Sequence, residues 1–162
     1  MEIRAATGSD ASQIMAIYNE AVTSSLVTFD IAPRKIDEQQ EWIQDHGGSY
    51  PALVAVEGSR TIGFGALSPY RDRAGYRTTV EDSVYIATEN RRRGAGRGLL
   101  EALVAHATAS GFHAVIARMH SLNEASIGLH RSVGFFDVGT EREVGRKFGK
   151  WLDAVVMELI LA

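Results

Sequence analysis

The segment 89–100 combines four arginines with three glycines in the sequence ENRRRGAGRGLL. It follows a segment typical of a strand and leads into apolar residues at helical spacing, beginning with Leu99 and Leu100. A helix that starts in a glycine-rich turn presents free backbone N–H groups and the positive end of its dipole to an anion. Nearby arginine side chains add forked hydrogen bonds to phosphate oxygens. These features favour a phosphate-binding loop over a solvated basic turn or a nucleic-acid surface.

The spacing of the glycines excludes the common nucleotide-binding loops. There is no Gly-Lys-Ser/Thr ending, and Gly94, Gly96 and Gly98 do not give the dinucleotide pattern Gly-x-Gly-x-x-Gly. We expect these glycines to let the backbone approach a ligand where a Cβ atom would collide.

Composition limits the class of protein. The length of 162 residues and a hydrophobic content of 45% predict a single domain spanning residues 1–162. A net charge of −3 argues against a nucleic-acid partner. The absence of cysteine excludes disulfides, thiolate metal sites and a cysteine nucleophile, and the histidine spacing predicts no metal site. No signal peptide or membrane segment is recognised, so we expect a cytoplasmic protein without a membrane partner.

Apolar periodicity predicts an α+β protein with the order β-α-α-β-β-β-α-β-α-β-β. Neighbouring strands are expected to be mostly antiparallel. The predicted strands cover 2–7, the two arms of a hairpin over 52–70, 78–87, 113–119, 135–145 and 151–161. The predicted helices run from a cap at Ser9 or Asp10 to Val22, over 37–46, from the arginine-glycine loop to Gly111, and over 123–134.

Two of these elements, the helix 123–134 and the strand 78–87, carry polar side chains aligned on one face, as a binding or catalytic site requires. Asn123, Ser126 and His130 are spaced i, i+3 and i+7, which places them along one side of a helix. In the strand 78–87, alternation places Glu81 and Ser83 on one face and Asp82 on the other. An ordinary surface helix and a surface carboxylate show the same patterns, so spacing alone does not decide.

The arginine-glycine loop resembles a known motif. Arg91-Arg92-Arg93-Gly94-Ala95-Gly96 matches Arg/Gln-x-x-Gly-x-Gly/Ala, the pyrophosphate loop of the GNAT N-acetyltransferase superfamily. The element order is similar to that superfamily's over essentially the whole chain, and 123–135 resembles its second cofactor motif. The resemblance implies the GNAT acyltransferase fold, a mixed, mostly antiparallel central sheet flanked by helices, and acetyl-CoA as co-substrate.

The resemblance also implies which residues contact acetyl-CoA. Asn123 would hydrogen-bond the pantetheine arm, and the backbone N–H near Val84 would polarise the acetyl oxygen. His130 stands where a tyrosine is usual, and it would act as an acid or a base unless it is structural. The cofactor-binding residues implied are Val84, Tyr85, Ile86, Arg91, Arg92, Arg93, Gly94, Ala95, Gly96, Arg97, Asn123 and Ser126.

The strand TVEDSVYI resembles the signature Thr-Val-Glu-x-Ser/Thr-Val-Tyr-Val/Ile of phosphinothricin acetyltransferases. A histidine at position 130 is a second resemblance to this branch of the superfamily. This resemblance implies that Glu81 is the general base, acting directly or through water, with Asp82 as its rival. Arg71 and Arg73 would hold a substrate carboxylate. Phe29 and Ser83 would complete the substrate pocket.

The predicted function is N-acetyl transfer from acetyl-CoA to the α-amine of a small glutamate-like amino acid such as methionine sulfoximine, methionine sulfone or phosphinothricin. Alternatives are another amine (a protein N-terminus, a polyamine or an aminoglycoside) or a non-catalytic acyl-CoA sensor. The turn 145–151 resembles the family's Gly-x-Lys-x-Gly-x-Trp pattern, with Phe148 in place of a frequent histidine. This turn reaches a partner subunit in the family, which implies a homodimer.

Overall fold

A single seven-stranded sheet forms the centre of the computed structural model, which describes all 162 residues. The strands are Glu2–Ala5 (β1), Ala52–Glu57 (β2), Arg60–Pro69 (β3), Thr79–Ile86 (β4), Ala114–His120 (β5), Phe136–Lys147 (β6) and Lys150–Ile160 (β7). The helices are Ala11–Ser24 (α1), Ile36–Asp45 (α2), Ala95–Ala109 (α3) and Glu124–Val133 (α4). The predicted α+β class and element order are confirmed.

The last hairpin differs from the prediction in the length of its turn. Only Phe148 and Gly149 separate β6 from β7, and both have positive φ, 49° and 71°. Two successive residues with positive φ form the tight turn that matches the twist of a hairpin, so each strand extends further into the turn than predicted, β6 to Lys147 and β7 from Lys150.

The strand order β1-β2-β3-β4-β5-β7-β6 contains one parallel pair, β4 with β5. This pair is in register only from Thr79 opposite Ala114 to Glu81 opposite Ile116. Beyond Glu81 the two strands separate, although β4 stays paired with β3 as far as Ile86. The sheet therefore opens into a cleft in its middle.

Helices cover both faces of the sheet. On one face α3 buries Leu100 and Leu103 completely against Val80 and Val115. On the other face the side chains of α1 and α2 pack with those of β2 and β3, namely Ile14, Tyr18, Ile43, Val54 and Phe64. Each such side chain contributes roughly 1.5–3 kcal/mol of transfer free energy. None of the helices is long and apolar enough to span a membrane.

A buried carboxylate fixes the turn that leads into α1. Both oxygens of Asp10 accept hydrogen bonds from Arg4, at 2.8 and 2.9 Å, and Oδ2 also accepts from the backbone N–H of Thr7 at 2.8 Å. The Arg4 hydrogen bond lowers the pKa of Asp10 below its ordinary value of 3.8, against the opposing effect of burial. This stabilisation is therefore present above pH 3.8 and is lost as the pH falls through the lowered pKa.

We expect Asp10→Asn to lower the free energy of unfolding by about 1–3 kcal/mol at pH 7, because it weakens hydrogen bonds to a charged group. The difference from wild type will shrink as acid protonates Asp10. Urea denaturation of both proteins at pH 7 and at about pH 3 measures the two differences. A difference that does not change with pH would contradict the assignment of the carboxylate charge.

Candidate active site

The separation of β4 from β5 produces a cleft of about 670 Å³ between the two strands and the N-termini of α3 and α4. The structure brings most of the predicted site residues together here. Those that line the cleft are Ser83, Val84, Tyr85, Ile86, Arg91, Arg92, Gly94, Gly96, Arg97, Asn123, Ser126 and His130. Glu81, Phe29, Arg71, Arg73, Arg93 and Ala95 lie outside this lining.

The N-terminus of α3 forms one end of the cleft. Gly94 precedes the helix with φ of 88°, a left-handed conformation that any side chain would strain, and no side chain caps the helix. The backbone N–H groups of Ala95, Gly96 and Arg97 therefore have no partner within the helix. Ala95 contributes only through its backbone, because its side chain is buried in the core. This end of the cleft is built to receive an anion.

Gly98 does not share that role, and the prediction that it allows a ligand to approach is wrong. A Cβ atom at Gly98 would lie 2.8 Å from the side chain of Ile3. The residue is a glycine because α3 packs closely on β1 at this point.

The arginines of the loop divide into two groups. Arg91, Arg92 and Arg97 line the cleft, and Arg97 also pairs with Glu101 on the next turn of the helix at 2.7 Å. Arg93 turns away from the cleft and its guanidinium lies 3.4 Å from Glu57. The structure thus supplies three arginines, not four, beside the free N–H groups of α3.

The edge of β4 that faces the cleft offers backbone groups with no strand beside them. The N–H of Ala87 donates to the carbonyl of Ile62 in β3 at 2.9 Å. Because backbone groups alternate in direction along a strand, those of Val84 and Ile86 point to the opposite side, into the cleft. The Val84 N–H therefore has no partner in the sheet and points into the cleft.

Helix α4 presents Asn123 and Ser126 to the cleft, but not as the simple polar stripe predicted. Asn123 caps the helix, since its side-chain oxygen accepts from the N–H of Ser126 at 3.2 Å. Its amide nitrogen remains for a ligand. His130 is only 3% exposed and is the one buried residue of α4. It reaches the cleft from the core and not from the solvent side.

Glu81 lies on the other face of the sheet from Asp82, at the point where β4 leaves β5. Burial raises the pKa of Glu81 above its ordinary value of 4.5, against the opposing charges of Arg118 and Arg71. The Glu81 carboxylate is therefore a stronger base than an exposed glutamate. Arg118 itself forms an ion pair with Glu141 of β6.

The residues predicted to bind substrate lie on this Glu81 face in two places. Phe29 packs beside His120 with ring centroids 6.4 Å apart, and a Cβ atom at Gly145 would lie 2.7 Å from its ring. Arg71 contacts the rings of two tyrosines and acts electrostatically on Glu81. Arg73 follows Arg71 by two residues in the same loop. With the same tyrosines it lines a separate hollow on the surface.

Sequence reasoning missed two groups of residues. The second half of α1 and the loop after it line the cleft through Ile17, Glu20, Ala21, Ser24, Ser25 and Val27. The periodicity of α1 assigned this helix to the core and carried no signal of a ligand. Arg118 and Glu141 were also missed. Only the pairing of β5 with β4 brings Arg118 near Glu81, and Glu141 follows because β7 joins β6 to β5.

The sequence of this chain matches the family model described as an acetyltransferase (GNAT) domain over residues 3–156. The chain belongs to the GNAT acetyltransferase family. Members use acetyl-CoA as co-substrate, and the cleft fits that molecule: uncapped N–H groups and arginines at one end, an open strand edge along its length. No group of three or more His, Cys, Asp or Glu residues is arranged to hold a metal ion.

Relatives and solved structures agree with this assignment. The chain is 40% identical to the L-methionine sulfoximine/L-methionine sulfone acetyltransferase of Pseudomonas aeruginosa, over 98% of this chain and 94% of that protein. It superposes on the phosphinothricin acetyltransferase of Sinorhizobium meliloti, solved with acetyl-CoA, with a TM-score of 0.95 and 36% identity, covering 99% and 88% of the two chains. The ribosomal-protein-alanine N-acetyltransferase of Brucella melitensis gives a TM-score of 0.97 and 38% identity, covering 99% and 100%.

Proposed function

We propose that this enzyme transfers the acetyl group of acetyl-CoA directly to the α-amine of a small glutamate-like amino acid, of the methionine sulfoximine, methionine sulfone or phosphinothricin type. The observation that carries the proposal is the position of Glu81. It stands where the acetyl-CoA cleft meets the opposite face of the sheet, and burial raises its pKa. The relatives named for those substrates support the choice.

Each chemical requirement of the reaction has a group in the structure. Glu81 takes the proton that the incoming ammonium must lose before it becomes a nucleophile. The N–H of Val84 points into the cleft and polarises the thioester carbonyl. Arg91, Arg92 and the N-terminus of α3 hold the pyrophosphate. The amine therefore approaches from the Glu81 face while acetyl-CoA occupies the cleft.

Arg71 supports an anionic amino acid as the acceptor. No carboxylate of the protein forms an ion pair with it. Its guanidinium lies 4.8 Å from the centre of the Tyr70 ring and 5.6 Å from that of Tyr76. The forked donors of Arg71 are thus free to bind the substrate carboxylate, and its charge acts on the base Glu81. Arg73 provides a second positive charge in the same loop.

A protein N-terminus is the second candidate acceptor, because one of the similar structures is named for ribosomal-protein alanine acetylation. Release of free thiol from acetyl-CoA distinguishes the two. We expect turnover with methionine sulfoximine, methionine sulfone and phosphinothricin, and none with an alanine-first peptide, spermidine or an aminoglycoside. Turnover with the peptide alone would replace the proposed substrate, and binding of coenzyme A without turnover on any amine would favour a sensor.

We also propose that the enzyme is a cytoplasmic homodimer in which residues 1–162 form a single domain. The sheet edge β6, its hairpin partner β7 and the turn between them support the dimer, since they expose large apolar side chains that a second subunit would cover. These are Phe136, Val138, Val144, Phe148, Trp151 and Ile160. Light scattering of the wild type should give twice the chain mass, and a monomeric mass would overturn the dimer.

A further inference from the structure

A buried histidine ends β5 on the face of the sheet that carries Glu81. His120 is the last residue of the strand and is only 6% exposed. Ile116 lies in register with Glu81, and side chains alternate along a strand, so Arg118 and His120 point to the same face as Glu81. The face from which the amine approaches therefore carries an imidazole ring that the proposed acetyl transfer does not use.

The hydrogen bonding of the His120 ring leaves one nitrogen as a free donor. Nδ1 accepts from the backbone N–H of Leu122 at 3.3 Å. An imidazole whose Nδ1 accepts carries its proton on Nε2, and no group of the protein accepts from that Nε2–H. The side-chain polar atoms that are both sealed from solvent and without a partner are Gln39 Nε2, Asp82 Oδ2 and Asn90 Oδ1. Nε2 of His120 is not one of them, so it borders on space that a ligand can enter.

The surroundings of the ring fix the direction of this donor. Phe29 packs against His120 edge to face, with an angle of 68° between the ring planes. The Phe29 ring lies in turn against Gly145, where a Cβ atom would be 2.7 Å away. The buried Lys147 holds the backbone beside Phe29, because its Nζ donates to the carbonyl of Thr28 at 2.8 Å. The donor is therefore oriented before a ligand arrives, which reduces the entropy lost on binding.

The position of His120 matches the far end of a bound amino acid. Arg71 precedes β4 in the chain, and His120 lies at the opposite end of the parallel strand β5, where the sheet has opened. Four residues separate His120 from Ile116, which is about 13 Å along a strand. An amino acid with its carboxylate on Arg71 and its amine toward Glu81 therefore extends its side chain along the wall of Phe29 toward His120.

We propose that His120 determines specificity by donating its Nε2–H to the oxygen at the end of the substrate side chain, an inference that rests on the proposed function. Methionine sulfone, methionine sulfoximine and phosphinothricin all carry such an oxygen, on sulfur or on phosphorus. Methionine has the same skeleton as its sulfone but ends in a thioether, which is a weak acceptor. Binding methionine leaves the buried N–H of His120 unpaired, so the site discriminates against it.

Two substitutions separate the two nitrogens of the ring. His120→Asn keeps an acceptor oxygen close to the place of Nδ1, where it can bind the Leu122 N–H, but has no atom at the place of Nε2. His120→Gln loses that acceptor and keeps an amide N–H close to the place of Nε2. If the ring served only to hold the backbone at Leu122, His120→Asn would be the milder change. If His120 binds the substrate oxygen, His120→Gln is the milder change.

The first test reads the ring without turnover. The ¹⁵N spectrum of the ligand-free enzyme will show His120 with its proton on Nε2 and none on Nδ1. Saturation with methionine sulfone in the presence of coenzyme A should move the Nε2–H resonance, and methionine should not. His106 is the internal control, because its Nε2 already contacts the carbonyl of Gly48 at 2.8 Å and should not respond. A proton on Nδ1, or an unmoved Nε2–H with the sulfone bound, overturns the proposal.

The second test compares kcat/KM for methionine sulfone with kcat/KM for methionine. The preference of the wild type for the sulfone should fall by roughly tenfold to a hundredfold in His120→Asn and by less than about threefold in His120→Gln. KM for acetyl-CoA and turnover of methionine should change less than about threefold in both. A preference that survives in His120→Asn, or that is absent from the wild type, overturns the role of His120 alone. A wild type that acetylates none of the three oxygen-bearing substrates overturns the proposed function, and this inference with it.

Discussion

Replacing Glu81 with glutamine will lower kcat by roughly a hundredfold to ten-thousandfold, the usual contribution of a general base. Glutamine keeps the size and the hydrogen-bonding capacity of the side chain but cannot accept the ammonium proton. The dissociation constant for acetyl-CoA should stay within about twofold of wild type, because Glu81 is not among the residues that line the cleft. Steady-state kinetics and calorimetric titration of both proteins measure the two quantities.

The pH dependence makes this prediction specific to proton removal. Burial raises the pKa of Glu81, so kcat/KM of the wild type should rise with a pKa above 4.5 as the carboxylate ionises. The pH profile of Glu81→Gln should lack this rise in kcat/KM. The loss of kcat/KM in Glu81→Gln should also become smaller at pH values above the pKa of the substrate amine, because the amine is already deprotonated there and needs no base.

Glu158→Gln is the matched control for this experiment. Glu158 is in register with Ile116, which is in register with Glu81, so the two glutamates share a face of the sheet two strands apart. We expect wild-type turnover from this variant. Equal losses in both variants, or no loss in Glu81→Gln, would remove Glu81 from the mechanism.

Local sequence patterns were sufficient for the elements and the phosphate end of the site. A strand, a glycine turn and an amphipathic helix specify their own conformation, so the start of α3 beside Gly94 is predictable without knowing the rest of the fold. Alternation along β4 is also a local property, and it correctly separates Glu81 from Asp82.

Features that depend on contacts distant in sequence were not predictable. The approach of Arg118 to Glu81 depends on which strand pairs with β4, and the bond between His130 and Asp82 depends on how α4 packs over the cleft. Helical spacing grouped His130 with the exposed polar residues, because periodicity does not record that a buried carboxylate lies opposite. Arg93 was misplaced for the same reason, since its partner Glu57 belongs to another strand.

Gly96→Asp should weaken acetyl-CoA binding by about a hundredfold. A side chain at Gly96 points between Leu129 and Ile86, both of which line the cleft, beside the uncapped N–H groups of α3. An aspartate there occupies the anion site with its own charge and repels the pyrophosphate. A hundredfold loss corresponds to about 2.8 kcal/mol, which is the scale of one lost charge-assisted contact with added repulsion. Calorimetric titration with coenzyme A measures it.

Two variants separate charge from size and from helix effects. An alanine at position 96 would place its Cβ 3.3 Å from the flexible end of Leu129, so Gly96→Ala should bind coenzyme A within a few fold of wild type. Gly128→Asp puts the same charge on α4, in open space outside the cleft lining, and should leave binding unchanged. If Gly96→Ala lost as much affinity for coenzyme A as Gly96→Asp, the size of the side chain and not its charge would determine binding at this position. The anion-binding interpretation of the loop would then rest only on the uncapped N–H groups of α3 and on the arginines that line the cleft.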